Sequence, residues 1–439
     1  MAERRGISRR KFLESAAIGT GSIALGRHAA LAEQISAAAQ LGRGRAKRLR
    51  TPNPNGSGID HVVVVMMENR SFDHILGWLP GADGKQAGLT YVDRAGIAHA
   101  TQALAPDYQG CAHPDPDHSY DGARVDYDGG ACDGWLRAGS NDDYAIGYYE
   151  AADVPFYARA ATDWTACDRY FAAFMGPTFP NRMYQHAAQT DRISNTFDPS
   201  TLPTIWDRLA EEGLTGRYYF QDAPFLALWG AKYVPIAQPY RAFLLACATG
   251  QLPHVSFVDP RFIEELTGTT SDDHPHADIR NGQAFLNQVY SAVTTSPAWP
   301  RTLLVINYDE WGGFFDHVPS DTAPIPPATR AAGDQDGRRG FRVPCLLISP
   351  VARRAFVAHD VFDHTSVLRF IEWRWGLEPL TRRDAQANNL ANAFDFTQRN
   401  PRATQYAVPP GPFGTPCPSS EANPFVVLRD LAVGFGFPV

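Results

Sequence analysis

Two pairs of oxygen-bearing side chains stand where the sequence predicts the ends of buried β-strands. Glu68-Asn69 follows a continuous β-branched run, and Asp309-Glu310 follows a second apolar run. In a parallel sheet both pairs would emerge at the carboxyl edge, where ligands of α/β proteins bind. Converging carboxylates repel one another unless a cation neutralises them, and such oxygen ligands suit a divalent metal. The alternative is that each pair caps the following helix, which is routine for one pair and less ordinary for two.

A threonine precedes a predicted helix in a setting that suits a nucleophile. Thr178 stands in the run Gly-Pro-Thr-Phe-Pro-Asn-Arg. The N–H groups of a helix amino terminus attract phosphate, and a metal would lower the pKa of the hydroxyl. Arg182, one turn further on, could bind phosphoryl oxygens. The same pattern equally describes an N-cap threonine with Pro180 in the first turn.

Two histidines lie in polar loops. His118 follows an aspartate, and so does His274. A loop histidine is usually only solvent-exposed, but near a metal–phosphate site it could stabilise developing charge or protonate a leaving oxygen.

The elements that must position these residues alternate between strand and helix. This alternation predicts a three-layer α/β/α fold with a mostly parallel sheet, formed by a single catalytic domain at 58–439. Residues 85–165 show little periodicity and are interpreted as a loop-rich lid inserted over one end of the sheet. The main predicted strands are 61–67, 254–258, 301–308 and 343–349, and the main predicted helices are 180–189, 203–212, 242–249, 279–293 and 365–375.

The amino terminus resembles an export signal. Arg9-Arg10 is followed by a short apolar run and by small residues before Glu33. The run is too short to span a bilayer of about 30 Å. Residues 1–32 are therefore interpreted as a twin-arginine signal peptide read by the twin-arginine export machinery, and 33–57 as a polar, basic linker. The alternative is a basic amino terminus on a cytoplasmic protein.

Charge and cysteine content limit the partners. Of 40 Lys+Arg and 47 Asp+Glu, the first 32 residues hold six bases and two acids, so the remaining chain carries a net charge of −11. This charge disfavours nucleic acid and anionic membranes as partners. The six cysteines lack zinc-site spacing. Cys111 and Cys132 could close a short loop, whereas Cys345 lies in an apolar run typical of a buried thiol.

Four motifs in order resemble the bacterial phosphoesterase family, which contains phospholipases C and acid phosphatases and shares the alkaline phosphatase superfamily fold. The resemblance spans about residues 59–380. Its motifs are Met67–His74 (MENRSFDH), GPTFPNR around Thr178, Tyr308–Val318 (YDEWGGFFDHV) and Phe362–Leu377 (FDHTSVLRFIEWRWGL).

The resemblance implies a metal-dependent phosphoesterase. Thr178 would be the nucleophile, with His118 and His274 binding the phosphoryl group or donating protons. Asn69 and Arg182 would contact substrate. The motif histidines His317 and His364 suit a packing or supporting role. The implied ligands of one divalent metal are Glu68, Asn69, Asp309, Glu310 and the Thr178 oxygen.

The expected function is therefore that of an exported phospholipase C acting on phospholipids such as phosphatidylcholine. Two alternatives stay open: an acid phosphatase, and a catalytically inactive exported binding protein. The aromatic residues of the lid would suit an amphiphilic ligand or simply form its core. They are Tyr108, Tyr120, Tyr127, Trp135, Tyr144, Tyr148 and Tyr149.

Overall fold

The computed structural model describes residues 51–263, 269–417 and 423–439. The predicted signal peptide and residues 33–50 of the predicted linker lie outside these residues. The strands are β1 His61–Met67, β2 Thr90–Val92, β3 Ala98–Ala100, β4 Gln102–Ala103, β5 Gly147–Tyr148, β6 Thr165–Cys167, β7 Tyr170–Phe171, β8 Gly216–Phe220, β9 Ala237–Pro239, β10 Val255–Val258, β11 Thr302–Tyr308, β12 Leu346–Ile348, β13 Phe356–Ala358 and β14 Phe362–Asp363.

Each of the five main predicted helices is present, among the eleven α-helices of the described residues. The α-helices are α1 Phe72–Leu76, α2 Tyr120–Tyr127, α3 Pro155–Asp163, α4 Thr178–Ala187, α5 Ile205–Glu211, α6 Tyr240–Thr249, α7 Ile279–Thr294, α8 Pro327–Ala331, α9 His364–Trp375, α10 Arg382–Ala385 and α11 Pro424–Phe435.

An eight-stranded sheet runs through the centre of the protein in the order β13-β6-β12-β11-β1-β10-β8-β9. Every pairing is parallel except those of β12, which is antiparallel to both β11 and β6. The sequence predicted a buried strand at 343–349 in a mostly parallel sheet. The strand is present as β12, but it runs antiparallel to its neighbours. A parallel return needs a crossover, usually a helix. The described connection from β11 to β12 contains only the short helix α8.

Helices cover both faces of the sheet. Helices α4, α5, α9 and α10 pack together as one group, and α3, α6 and α7 pack as another. Strands β1 and β11 are buried on both faces, with only His61 partly exposed. The three-layer α/β/α prediction is therefore confirmed.

The segment 85–165 contains regular structure as well as loops. It holds β2 to β5 and the helices α2 and α3. Helix α3 packs against α7 and β6, so the last part of this segment belongs to the body of the domain. Most of the aromatic residues proposed as a ligand surface are buried within the segment: Trp135, Tyr144, Tyr148 and Tyr149.

One disulfide joins distant parts of the chain. Cys111 pairs with Cys417, 306 residues away. The disulfide considered between Cys111 and Cys132 is therefore wrong. Cys111 bonds Cys417 instead, and Cys132 is a buried free thiol. Cys345 is buried and free, as predicted. Among the described residues, no helix has the length and apolar character needed to cross a bilayer.

Candidate active site

The two polar pairs meet because their strands are neighbours. Met67 of β1 pairs with Tyr308 of β11 in parallel register, so the residues that follow leave the sheet side by side. The Asn69 N–H donates to Asp309 Oδ1 at 3.2 Å. The backbone N–H of Glu310 donates to the same oxygen at 2.7 Å. The predicted convergence at the carboxyl edge is confirmed.

Tight backbone packing holds the two strand ends together. Asn69 adopts φ 58°, a left-handed conformation that asparagine tolerates better than most residues. Gly312 has φ 65°, and a Cβ there would lie 2.1 Å from the Asn69 carbonyl oxygen. Only glycine fits this close approach, which explains Gly312, two residues after the second acidic pair.

Arg182 is directed toward the carboxylates. Its guanidinium lies 3.1 Å from Glu68 Oε1, 3.3 Å from Asp309 Oδ2 and 3.4 Å from Asp259 Oδ1. The side chain is 2% exposed. Arg182 thus neutralises buried acids at the floor of the site, and contact with substrate stays a prediction. Asp259 was missed from sequence because a single aspartate after a strand is common.

The donor set fits a divalent cation. Glu68, Asn69, Asp309 and Glu310 are fully buried. Asn69 Oδ1 and Glu310 Oε1 accept no hydrogen bond from any residue that the structure describes. Burial raises the pKa of Asp309, and it raises that of Glu310 to about 8. Buried oxygens of this kind are costly without a positive partner, which a hard or borderline metal ion would supply.

Thr178 begins helix α4 and borders an open cavity of about 600 Å³. Glu68, His118 and His274 border the same cavity. The helix terminus is a weaker anion site than the sequence suggested, because the Phe179 N–H already donates to Asn195 Oδ1 at 2.8 Å and the next residue is proline. The group at this position that could react is therefore the Thr178 hydroxyl, and the residue as a whole is 3% exposed.

The two loop histidines stand on one wall of the cavity, with ring centroids 6.3 Å apart. His118 Nδ1 lies 2.7 Å from the Pro116 carbonyl, and His274 Nδ1 lies 2.9 Å from the Pro275 carbonyl. A carbonyl only accepts, so each Nδ1 is assigned the proton and each Nε2 is the atom that exchanges protons.

Their surroundings shift the pKa values of the two histidines in opposite directions. Burial opposes charge on His118, but the carboxylates of Glu310 and Asp115 outweigh it and raise its pKa to about 9. Burial lowers the pKa of His274 to about 4. His118 Nε2 lies 3.3 Å from Asn69 Nδ2 and 3.6 Å from Glu310 Oε1. The neutral ring can accept from the amide, and the protonated ring can pair with the carboxylate.

Asp115 is a site residue that sequence reasoning missed. Its Oδ2 lies 3.6 Å from His274 Nε2. The ligand atoms of Asp115, His118 and His274 all lie within 4.8 Å of one another, next to the acidic cluster. The short run Asp-Pro-Asp before His118 was the available signal, but the approach of His274 depends on a distant loop.

The remaining motif histidines support the site from outside the cavity. His317 Nδ1 lies 2.5 Å from Asp73 Oδ2, in a network with the buried Arg342. The Ala173 N–H donates to His364 Nδ1, which leaves the proton on Nε2, 2.9 Å from the Tyr308 carbonyl. His364 therefore ties down the end of β11 immediately before Asp309.

Comparison with known proteins identifies the family. The model of the phosphoesterase family matches residues 59–378. The chain belongs to the phosphoesterase family. This phosphoesterase is a hydrolase that acts on phosphate esters, as the four motifs predicted.

Similar proteins carry phospholipase names. Non-specific phospholipase C1 of Arabidopsis thaliana is 30% identical over 79% of this chain and 73% of its own length. Phospholipase C A of Mycobacterium tuberculosis is 30% identical over 77% of each chain. A solved alkaline phosphatase superfamily protein from Vibrio parahaemolyticus has a TM-score of 0.39 and 9% identity, covering 81% of this chain and 76% of that one.

Proposed function

We propose that this phosphoesterase is a phospholipase C that cleaves the phosphodiester of phospholipids such as phosphatidylcholine through a covalent intermediate on Thr178. The observation that carries the proposal is the cavity that Thr178 lines together with Glu68 and the two histidines. A nucleophile, an acidic metal-binding floor and two proton-exchanging rings on one cavity form the set that phosphoryl transfer requires.

Five side chains would hold one divalent metal ion: Glu68, Asn69, Thr178, Asp309 and Glu310. Bound among them, the ion supplies Lewis-acid polarisation of the phosphoryl group and a lowered pKa for the threonine hydroxyl. Arg182 offsets part of the negative charge on the floor of the site, since it pairs with three of the buried acids around it.

The steps assigned to the protein follow from this arrangement. Thr178 Oγ1 attacks phosphorus while its hydroxyl proton passes to the neutral Nε2 of His274, and the bond from phosphorus to the glycerol oxygen breaks. The leaving diacylglycerol oxygen takes the proton that the charged His118 carries on Nε2, since the pKa of His118 is raised to about 9. Water then attacks the phosphothreonine, which releases the phosphorylated head group and restores the hydroxyl.

The rim of the cavity favours an amphiphilic diester over a small monoester. Phe197, Phe425 and Val427 border the cavity, and Val427 is 46% exposed. An apolar rim beside a polar floor suits a ligand with a phosphate at one end and acyl chains at the other. Phe197 and Val427, which are at least partly exposed, would form the apolar contact surface, whereas Phe425 and most of the lid aromatics are buried.

Paired substrates test the proposal. The metal-reconstituted protein is expected to hydrolyse 4-nitrophenyl phosphorylcholine with a higher kcat/KM than 4-nitrophenyl phosphate, and to release diacylglycerol from phosphatidylcholine. Preference for the monoester would favour the acid phosphatase. Hydrolysis of neither substrate would favour an inactive binding protein, although all five proposed ligands are present in the sequence.

We further propose that the enzyme is exported by the twin-arginine route. Arg9-Arg10 and the apolar run after them carry this proposal. The Cys111–Cys417 disulfide agrees with an oxidising compartment, since such bonds are rare in the cytosol.

A further inference from the structure

The cavity offers few positive groups to a phosphoryl oxygen. Among the residues that the structure describes, no lysine or arginine borders it. Arg182 lies beneath, where it pairs with the carboxylates of the floor. The two histidines are assigned to proton transfer. The non-bridging oxygens of a phosphoryl group gain charge during attack, so those that do not face the metal need neutral N–H or O–H donors.

The side chain of Asn195 borders the cavity together with Thr178. Its Oδ1 accepts a hydrogen bond from the Phe179 N–H at 2.8 Å. Because a backbone N–H only donates, the atom that faces it must be the amide oxygen, and Nδ2 points its two N–H groups elsewhere. Within the described part of the chain Nδ2 has no acceptor, and the residue is partly exposed. Both donors are therefore available to a ligand in the cavity.

The other asparagines at the site already use their amide nitrogens. Asn423 Nδ2 donates to the Phe262 carbonyl at 2.7 Å. Asn69 Nδ2 lies 3.3 Å from His118 Nε2. Of the asparagines that the structure describes at this cavity, Asn195 is thus the one whose N–H donors are unused.

The loop that carries Asn195 is fixed before any substrate arrives. Arg192, which is 6% exposed, donates to the Asp198 carbonyl at 2.8 Å. The Phe197 ring packs against the Phe179 ring, with centroids 5.5 Å apart. A donor held in this way does not have to reorganise as charge develops, and such donors lower a barrier most effectively.

We infer that Asn195 is a catalytic residue, whose Nδ2 donates a hydrogen bond to a non-bridging oxygen of the phosphoryl group that Thr178 attacks. This inference rests on the proposed function. The amide oxygen holds the start of α4, and the amide nitrogen holds the phosphoryl oxygen beside the hydroxyl at that helix start. The hydrogen bond strengthens in the transition state, so Asn195 contributes more to kcat than to KM.

Two substitutions separate the oxygen of this amide from its nitrogen. Asn195→Asp keeps an acceptor for the Phe179 N–H and removes both donors, whereas Asn195→Ala removes the acceptor as well. With 4-nitrophenyl phosphorylcholine and metal-reconstituted full-length protein, each variant should lose about 100-fold in kcat, with KM changed by less than about threefold. Metal content stays constant. Tm falls only in Asn195→Ala, which leaves a helix N–H without its acceptor.

Ser140→Asp is the matched control for the charge that Asn195→Asp adds. Ser140 also borders the cavity, is exposed and has no part in the proposed steps. Because salt screens an exposed charge, kcat should stay within about threefold of wild type. Wild-type kcat in Asn195→Asp would mean that only the bond to Phe179 matters. Wild-type kcat in Asn195→Ala, or an equal loss in Ser140→Asp, would assign the effect to charge. Each of these results overturns the inference.

Binding of orthovanadate separates this inference from the proposed function. If the wild type does not hydrolyse phosphorylcholine esters, the proposed function fails, but a calorimetric titration of the metal-loaded protein with orthovanadate still reports the contact, because its five-coordinate adduct resembles the transition state. A Kd raised at least about tenfold in both Asn195 variants, and less than about threefold in Ser140→Asp, supports the contact. An equal Kd in wild type and Asn195→Ala rejects it.

Discussion

Replacing Arg182 with methionine should destabilise the metal-free enzyme more than the metal-loaded one. Methionine keeps the apolar stem of the side chain and removes the guanidinium, whose carbon lies 4.7 Å from the Phe262 ring centre. Three buried carboxylates then lose a cation that lies 3.1 to 3.4 Å from each.

The size of the effect follows from burial. Removing one partner of a buried ion pair costs about 3–5 kcal/mol, since an uncompensated charge stays in the interior. Protonation limits the loss: burial already raises the pKa of Asp259 to about 7, so this acid can go neutral. We therefore expect a loss of about 3 kcal/mol without metal, and a smaller loss with metal, because the bound cation offsets the same carboxylates.

Urea unfolding of wild type and variant, in chelator and in excess metal, measures both values. The matched comparison is Arg182→Lys, which keeps the charge but not the planar fork. If Arg182 instead binds substrate, the methionine variant would raise KM while its unfolding free energy stays within about 0.5 kcal/mol of wild type. That result would refute the assignment of Arg182 to the acidic floor.

Four further outcomes test other parts of the site and fold. Thr178 is the first residue of its helix and makes no capping hydrogen bond, so Thr178→Ala should cost less stability than a lost cap, which is worth about 1 kcal/mol, and abolish turnover; activity within tenfold of wild type, in an assay of initial rates, contradicts the covalent mechanism. Glu310→Gln should lower the metal content found by elemental analysis of the purified protein, and unchanged content would mean that this residue only caps. Burial raises the pKa of Glu372 to about 9. The folded state therefore keeps a proton that the unfolded state releases above its ordinary pKa, so stability falls as pH rises from 5 to 9, by up to about 1.4 kcal/mol per unit from this group. In urea unfolding, Glu372→Gln should gain on the wild type between pH 5 and pH 8, and a constant difference contradicts the shift. Arg9→Lys with Arg10→Lys should retain the precursor inside the cell on fractionation, whereas normal export would mean that the signal is of another kind.

The fold could be predicted to the extent that local pattern dictates it. The continuous apolar runs at β1 and β11 identify strands buried on both faces, and 3.6-residue periodicity locates α7 and α9. The direction of β12 could not be predicted in this way. A buried run has the same composition whichever way it points, and only the connection before it decides between parallel and antiparallel pairing.

The candidate site divides along the same line. The carboxyl-edge rule was enough to place Glu68 and Asp309 at the same edge of the sheet, because each residue directly follows a buried strand. The two strands are also neighbours in the sheet, which brings the residues side by side. No local pattern indicated that Asn195 accepts a hydrogen bond from the Phe179 N–H, or that Asp115 lies close to His274. Both contacts join loops far apart in the chain.

The sequence by itself determined which chemical groups are available and which ends of the strands carry them, since strand identity, helix starts and motif order depend on near neighbours in the chain. Only the tertiary structure decided what each group faces. Arg182 pairs with acids because α4 packs its inner face toward the end of β1. Cys111 bonds Cys417 across 306 residues because the chain returns past the lid. The interaction energy of a side chain depends on distance in space, and for these residues that distance is unrelated to separation along the chain.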